Sequence, residues 1–272
     1  PVMSVGRYGN TQDAKDVIAA GDADFITLGR PLLADPDWVR KAENNEHPRP
    51  CIACNTCVDG MRDGHKLHCL VNPETGRERD YHGRALAMQG ARIAVIGAGP
   101  GGLTFASVMA EKNKVTLFEK QKEIGGSFLF AGHAPKFQTV EARPETFDFY
   151  IQSMKQICES RGVVLYTNSD PFHDPNSLKK FDWIVIATGA QFPFGLQAPV
   201  NTMLKAGLFK LSFFKTLASN NKIRDLFYYS LRRPTVKKLM DMLPSGCKVS
   251  VIGDAAQSGK ATEAIKSAYD LA

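Results

Sequence analysis

Arg92-Ile93-Ala94-Val95-Ile96-Gly97-Ala98-Gly99-Pro100-Gly101-Gly102-Leu103 reads as a buried strand that runs directly into a glycine turn. Leu103-Thr104-Phe105-Ala106-Ser107-Val108-Met109-Ala110 then continues as a helix, so the order is strand, turn, helix. Each glycine has a separate physical use. Gly97 permits the tight turn, Gly99 lets backbone approach a pyrophosphate, and Gly102 lets helix and strand pack closely. Phosphates would then lie at the positive end of the helix, with Ala98, Pro100 and Gly101 completing the cradle. A second strand, Val115-Thr116-Leu117-Phe118, ends in Glu119, about twenty residues past the glycines. A carboxylate there accepts ribose hydroxyls and disfavours a 2′-phosphate. Working outward, a helix over Glu145 to Cys158 and a strand Val163-Val164-Leu165-Tyr166 supply the next layer of the same domain. Asp182-Trp183-Ile184-Val185-Ile186-Ala187-Thr188-Gly189-Ala190 and Val249-Ser250-Val251-Ile252-Gly253-Asp254-Ala255 are two further strands, each running into a turn, and Gly259 to Ala272 reads as a helix.

Upstream, Cys51, Cys54, Cys57 and Cys69 stand as C-x2-C-x2-C-x11-C. Three thiolates spaced by two residues can face one inorganic centre from a single loop, and a fourth closes the cage. A disulfide framework does not suit a chain of 272 residues with six cysteines that can bury its own core. Structural zinc is the competing reading, with His65 and His68 near enough in sequence to offer imidazole. Zinc usually takes two separated pairs, whereas three cysteines in a row suit a [4Fe-4S] cube better. Cys158 and Cys247 lie in apolar stretches and read as core residues, while His82 and His133 receive no catalytic role.

The later strands resemble the Ala-Thr-Gly and Gly-Asp signatures of flavoproteins with two dinucleotide domains. That likeness implies FAD, held by Thr188 and Gly189, by Gly253 and Asp254, whose carboxylate would bind the ribityl chain, and by Gly126 of the Glu123-Ile124-Gly125-Gly126-Ser127 stretch. Over residues 1 to about 190, and again from about 246, the chain resembles the C-terminal part of the old-yellow-enzyme-related iron-sulfur flavoproteins. This group holds 2,4-dienoyl-CoA reductase, trimethylamine dehydrogenase and many NADH:flavin oxidoreductases and enoate reductases. The likeness rests on Val5-Gly6-Arg7-Tyr8, on Leu28-Gly29-Arg30-Pro31-Leu32-Leu33-Ala34-Asp35-Pro36, on the cysteine array and on Cys69-Leu70-Val71-Asn72-Pro73.

The resemblance implies an α/β architecture: the C-terminal remnant of a (βα)8 TIM barrel over 1–45, a [4Fe-4S]-binding segment and linker over 46–90, and a Rossmann-like FAD-binding domain over 91–190 and 246–272. A short basic, amphipathic helical insertion over 191–245 interrupts it. Pro1–Val5 and Asp24–Leu28 would be the last two barrel strands, with a helix over Thr11 to Ala20 between them. Amides near Gly6, Arg7, Gly29 and Arg30 would hold an FMN phosphate after strands seven and eight. The chain has no initiating methionine and opens within a barrel strand, so the expectation is a piece of a longer protein whose catalytic groups lie upstream.

The family implies a small-molecule substrate reacting at FMN, with electrons relayed between FAD, the cluster and FMN. Reduction of an activated C=C bond, oxidation of an amine with electrons passing to a carrier protein, and a non-catalytic nucleotide-binding module are the readings that follow. Only about sixty residues separate Ala190 from Val249, too few for the complete NAD(P)H domain usual there. The expectation is that this second nucleotide site is missing. The gap holds Leu204 to Leu217, with regular lysines, followed by Arg224, Arg232, Arg233, Lys237 and Lys238. Helices capping the flavin domain explain it, and the alternative over 204–238 is a docking face for an acidic electron-transfer protein or a membrane surface. Net charge is +6, which cluster and flavin phosphates would offset, and no aromatic-rich basic module points to nucleic acid. No run of about 18 apolar residues suggests a transmembrane span, and reduced thiols suit the cytoplasm.

Overall fold

The computed structural model describes residues 1–191, 199, 202–203, 206–208, 229, 232–234 and 236–272. Most of the basic stretch from 204 to 231 therefore lies outside the described residues. At the N-terminal end, β1 (Met3–Val5), α1 (Thr11–Ala19), β2 (Phe25–Thr27), α2 (Arg30–Ala34) and α3 (Trp38–Glu43) follow one another. β1 and β2 pair in parallel, Met3 opposite Phe25 and Val5 opposite Thr27, so the turns after both strands emerge at one edge. Asn10 caps α1 by accepting the Asp13 amide at 2.7 Å. Tyr8, Ala14 and Trp38 close a small core over this pair, while Val2, Met3, Val5 and Phe25 remain exposed.

Residues 44–90 contain only α4 (Thr56–Arg62) and α5 (Glu78–Tyr81), and tertiary ties hold the rest. Asn72 Nδ2 and Thr75 Oγ1 donate to the Leu33 carbonyl at 2.9 and 2.7 Å, fastening the segment after Cys69 to α2. At its other end the segment is latched to the C-terminus. Tyr81 Oη donates to Asp270, Tyr269 Oη to Glu74, and the Ala87 amide to the Ala272 carbonyl at 2.7 Å.

The largest layer is a five-stranded parallel sheet built from β3 (Arg92–Ile96), β4 (Lys114–Phe118), β5 (Val164–Tyr166), β6 (Trp183–Ile186) and a last strand, Lys248–Val251. Its order is β5-β4-β3-β6 and then Lys248–Val251. Ile93, Ala94 and Val95 of β3 and all four residues of β6 are inaccessible, as expected for parallel strands covered on both faces. α6 (Pro100–Met109), α7 (Ser127–Ala131) and α8 (Pro144–Ser160) follow β3 and β4 in the chain. A two-residue antiparallel ribbon, β7 (Ala190–Gln191) with β8 (Arg233–Pro234), joins the chain where it leaves and re-enters this domain. α9 (Val236–Met240), β9 (Lys248–Val251) and α10 (Ala261–Leu271) complete it.

One core runs under α6, α8 and α10, where Phe105 meets Trp183 edge to face with centroids 5.3 Å apart. Such a ring pair adds about 0.5–1.5 kcal/mol to its area burial. Phe118, Phe172, Leu178 and Phe181 cover the opposite face. Because β4 and β6 flank β3 on opposite sides, the chain reverses direction across the sheet at the C-terminal end of β3. In open parallel sheets this is where ligands bind.

Candidate functional site

The turn after β3 is glycine-built for steric reasons visible at each position. A Cβ on Gly97, whose φ is +109°, would lie 2.4 Å from the Ala187 carbonyl oxygen, and one on Gly102 would lie 1.9 Å from the Gly97 carbonyl oxygen. Neither obstacle is a side chain that could rotate away. At Gly99 a Cβ would meet nothing within 4 Å, so this residue faces open space at the start of α6, with Pro100 in its first turn. Gly101 lies in the first turn of α6, and its Cβ would be 3.1 Å from the Ala264 carbonyl oxygen in the first turn of α10. Two helix N-termini thus converge beside the open position, each contributing partial positive charge.

Glu119, at the end of β4, is buried. Its Oε2 accepts the Ala98 amide at 2.9 Å and its Oε1 accepts the Gln121 amide at 2.9 Å. Each oxygen keeps a further acceptor position. Across the mouth of the turn, the Gly125 amide donates to the Ala98 carbonyl at 2.8 Å, and a Cβ on Gly126 would approach Gly99 Cα at 3.8 Å. Thr188 backs Gly97, and Gly189 has φ +75° where the chain turns into β7. Gly253, at φ +59°, donates its amide to Ser267 Oγ at 2.8 Å. The structure therefore gathers Gly97 to Gly102, Glu119, Gly126, Thr188, Gly189 and Gly253 around the C-terminal edge of the sheet.

Asp254 is in a different situation from its neighbours. Its carboxylate forms an ion pair with the buried Arg232, Asp254 itself being half-buried, and its Oδ1 has no hydrogen-bond partner. Burial pushes its pKa up, opposed by the Arg232 guanidinium. Arg232 also reaches the Gly259 carbonyl at 3.4 Å, and its own carbonyl accepts Ser258 Oγ. Read with the basic insertion, Arg232 instead lies in the interior. Nothing in the local sequence marks it, because the partner is 22 residues away.

The cysteine loop is shaped by two left-handed residues, Ala53 at φ +50° and Asn55 at φ +60°. Cys51 Sγ accepts the Ala53 amide at 3.4 Å, Cys54 Sγ lies 3.2 Å from Thr56 Oγ1, and Cys57 lies in the first turn of α4. Burial raises the thiol pKa of Cys51 and Cys54, and that of Cys69 to about 11. Cys54 belongs to the main buried cluster, and Cys51 and Cys69 pack against that cluster. Among the described residues no three His, Cys, Asp or Glu side chains close on a single point as one metal ion would require. His68 turns its Nδ1 to the Lys66 carbonyl at 3.1 Å and packs on Gly60, and His65 is exposed. Of the other two cysteines, Cys158 is in the core and Cys247 is half-buried.

Gly6, at φ +136°, Arg7 and Gly29 lie at the shared edge after β1 and β2, and a Cβ on either glycine would meet nothing within 4 Å. Arg7 lines a cleft of about 90 Å³ together with Ala53, Cys54, Glu141, Arg143 and Phe147. Arg30 points toward the cysteines, its Nη1 donating to Asn55 Oδ1 at 2.5 Å.

Residues 91–227, half of the chain, match the family model described as pyridine nucleotide-disulphide oxidoreductase. The chain belongs to this oxidoreductase family. Residues 1–48 of this oxidoreductase match a second model, the NADH:flavin oxidoreductase / NADH oxidase family. A NADH oxidase of Thermoanaerobacter brockii is 37% identical over 196 residues, which cover 70% of this chain and 29% of that protein. A cinnamate reductase of Clostridium sporogenes is 35% identical over 196 residues, covering 70% and 28%. The chain thus spans less than a third of the curated relatives it matches. Among solved structures, a 2-naphthoyl-CoA reductase in complex with 2-naphthoyl-CoA superposes with a TM-score of 0.76 at 18% identity, over all of this chain and 53% of that one. At that identity the likeness concerns the fold. The combination of a flavin-oxidoreductase end with a dinucleotide domain is that of the dienoyl-CoA reductase and trimethylamine dehydrogenase group, and flavin chemistry comes with it. No helix among the described residues is long and apolar enough to cross a membrane.

Proposed function

We propose that this chain is the electron-carrying part of a flavin- and iron-sulfur-dependent oxidoreductase that reduces an activated C=C bond. The observation that supports it best is a packing one. Ile52, Cys54, Leu70 and Val71 of the cysteine segment belong to the same buried cluster as Leu103, Phe105 and Ala106 of the glycine-turn helix. A thiol cage and a nucleotide cradle that share one dry core suit charge transfer between them.

In this reading Cys51, Cys54, Cys57 and Cys69 hold a [4Fe-4S] cluster, and Gly97 to Gly102, Glu119, Gly126, Thr188, Gly189, Gly253 and Asp254 hold FAD. Backbone amides near Gly6, Arg7, Gly29 and Arg30 would hold an FMN phosphate at the end of a barrel whose last strands are β1 and β2. The donor set suits the cluster by its chemistry: burial disfavours the free thiolates of Cys51, Cys54 and Cys69, which a cationic centre would allow to ionise together, and the C-x2-C-x2-C-x11-C spacing suits a cube. Bound flavin exchanges hydrides or single electrons, and a cluster passes single electrons. The chain's own part is to hold and orient. The amides and helix ends around Gly99 would hold the pyrophosphate, Glu119 would offer its spare acceptor positions to the ribose, and Asp254 would bind the ribityl chain.

The same reading places the protein in the cytoplasm, with a carrier protein rather than a second nucleotide domain as the electron donor. The kinship to a cinnamate reductase supports the choice of an unsaturated substrate. Anaerobic purification tests the proposal: iron and acid-labile sulfide in about a four-to-four ratio with bound flavin are expected. Zinc without sulfide would overturn it.

A further inference from the structure

Arg30 is assigned above to a flavin phosphate through its backbone amide, and its guanidinium is turned toward the cysteine loop. Nη1 donates to Asn55 Oδ1 at 2.5 Å, across 25 residues of chain and in a half-buried setting. Asn55 stands between Cys54 and Cys57, at the position before α4, and holds φ +60°, a left-handed conformation that asparagine tolerates better than most residues and that a side-chain tether secures. Ala53, two residues earlier, is also left-handed. The loop that carries three of the thiols therefore holds two left-handed residues, and its side-chain anchor comes from the turn after β2.

We infer that Arg30 is a positioning residue of the cysteine cage: its hydrogen bond to Asn55 orders the Cys54–Cys57 loop, and its charge stabilises the reduced, more negative state of the centre held there. This deepens the cluster reading and rests on it. A guanidinium is fitted to both tasks, since it stays charged at every working pH and carries five donors, only one of which Asn55 uses. Hydrogen bonds and net charge around the sulfurs are among the determinants of cluster potential.

The test uses the full chain purified anaerobically, with iron and sulfide content first, then an EPR-monitored redox titration and the rate of iron loss to a chelator. Wild-type protein without iron and sulfide would sink the cluster reading itself and this inference with it. With the cluster present, Arg30→Gln is expected to lower the reduction potential by a threefold to tenfold change in the one-electron equilibrium, about 59 mV per tenfold. Arg30→Lys keeps the charge and is expected to retain most of the potential while losing iron several-fold faster. Asn55→Gly keeps the left-handed backbone, removes the acceptor, and should behave like Arg30→Lys. If Arg30→Gln fails to assemble a cluster, the lysine and glycine variants decide. Iron loss at the wild-type rate in both would overturn the inference, as would a wild-type potential in an assembled Arg30→Gln protein.

Discussion

Glu119 Oε2 accepts the backbone amide of Ala98 at 2.9 Å, so the acid at the end of β4 is tied directly to the glycine turn at the end of β3. The contact spans 21 residues and is buried. It makes the carboxylate part of the turn's architecture as well as an acceptor for whatever lies beside it.

Replacing Glu119 by Gln separates these roles. One amide oxygen can satisfy either the Ala98 or the Gln121 amide, and the NH2 group then faces the other donor. A loss of about 1–3 kcal/mol in the flavin-free protein is expected. Flavin affinity should fall further than this stability loss explains. Urea unfolding and flavin titration measure the two effects separately, and an unchanged urea midpoint would refute the structural half.

Gly99 and Gly102 give opposite outcomes under the same change. Gly102→Ala drives a Cβ into the Gly97 carbonyl and should destabilise the flavin-free protein by about 1–3 kcal/mol or more. Gly99→Ala meets no protein atom within 4 Å and has an ordinary backbone conformation, so the flavin-free melting temperature should hold while flavin content drops. Full flavin occupancy in Gly99→Ala would mean that the pyrophosphate lies elsewhere.

Buried Arg232 pairs with half-buried Asp254, and breaking one side strands the other. Asp254→Asn leaves the Arg232 charge uncompensated and is expected to cost about 3–5 kcal/mol. Combining it with Arg232→Met should restore most of that stability, since a neutral buried pair carries no desolvation debt. Flavin binding should stay weak in the double variant because the carboxylate is gone. Chemical denaturation and flavin titration of the three proteins test this, and additive losses in the double variant would contradict it.

The buried thiols make the cluster-free protein sensitive to alkali. A folded-state pKa raised above the unfolded value of 9.0 means that the folded form binds more protons between the two values. The contribution of Cys69 is therefore fully present below pH 9 and lost as pH climbs toward about 11. Cluster-loaded protein, whose ligand thiols are already ionised, should lack that part of the decline. Melting curves of both forms from pH 8 to 11 compare them, and parallel declines would count against the cage.

The strands and the turn were legible because their signals are local. Ile93 to Ile96 and Trp183 to Ile186 are runs of apolar residues short enough to be strands, and they are found fully covered. Helix limits moved by a few residues. The helix expected from Leu103 begins at Pro100, since proline suits a first turn, and the strand expected from Val249 begins at Lys248. Arg232, by contrast, is one of several basic residues of the insertion in the sequence, and nothing in such a run says which of them finds a partner in the interior. Arg30 likewise shows no local sign of its contact with Asn55.

The amino-acid order alone determined the strand-glycine-helix turn, the acid about twenty residues beyond it and the spacing of the four cysteines, since each depends on backbone sterics or on reach within a short loop. Tertiary structure alone decided that Glu119 closes on Ala98, that Arg30 braces the cysteine loop and that Arg232 is buried against Asp254. Those pairings depend on which surfaces meet when the sheet, the cysteine segment and the N-terminal strands pack together, and no periodicity in the chain encodes that meeting.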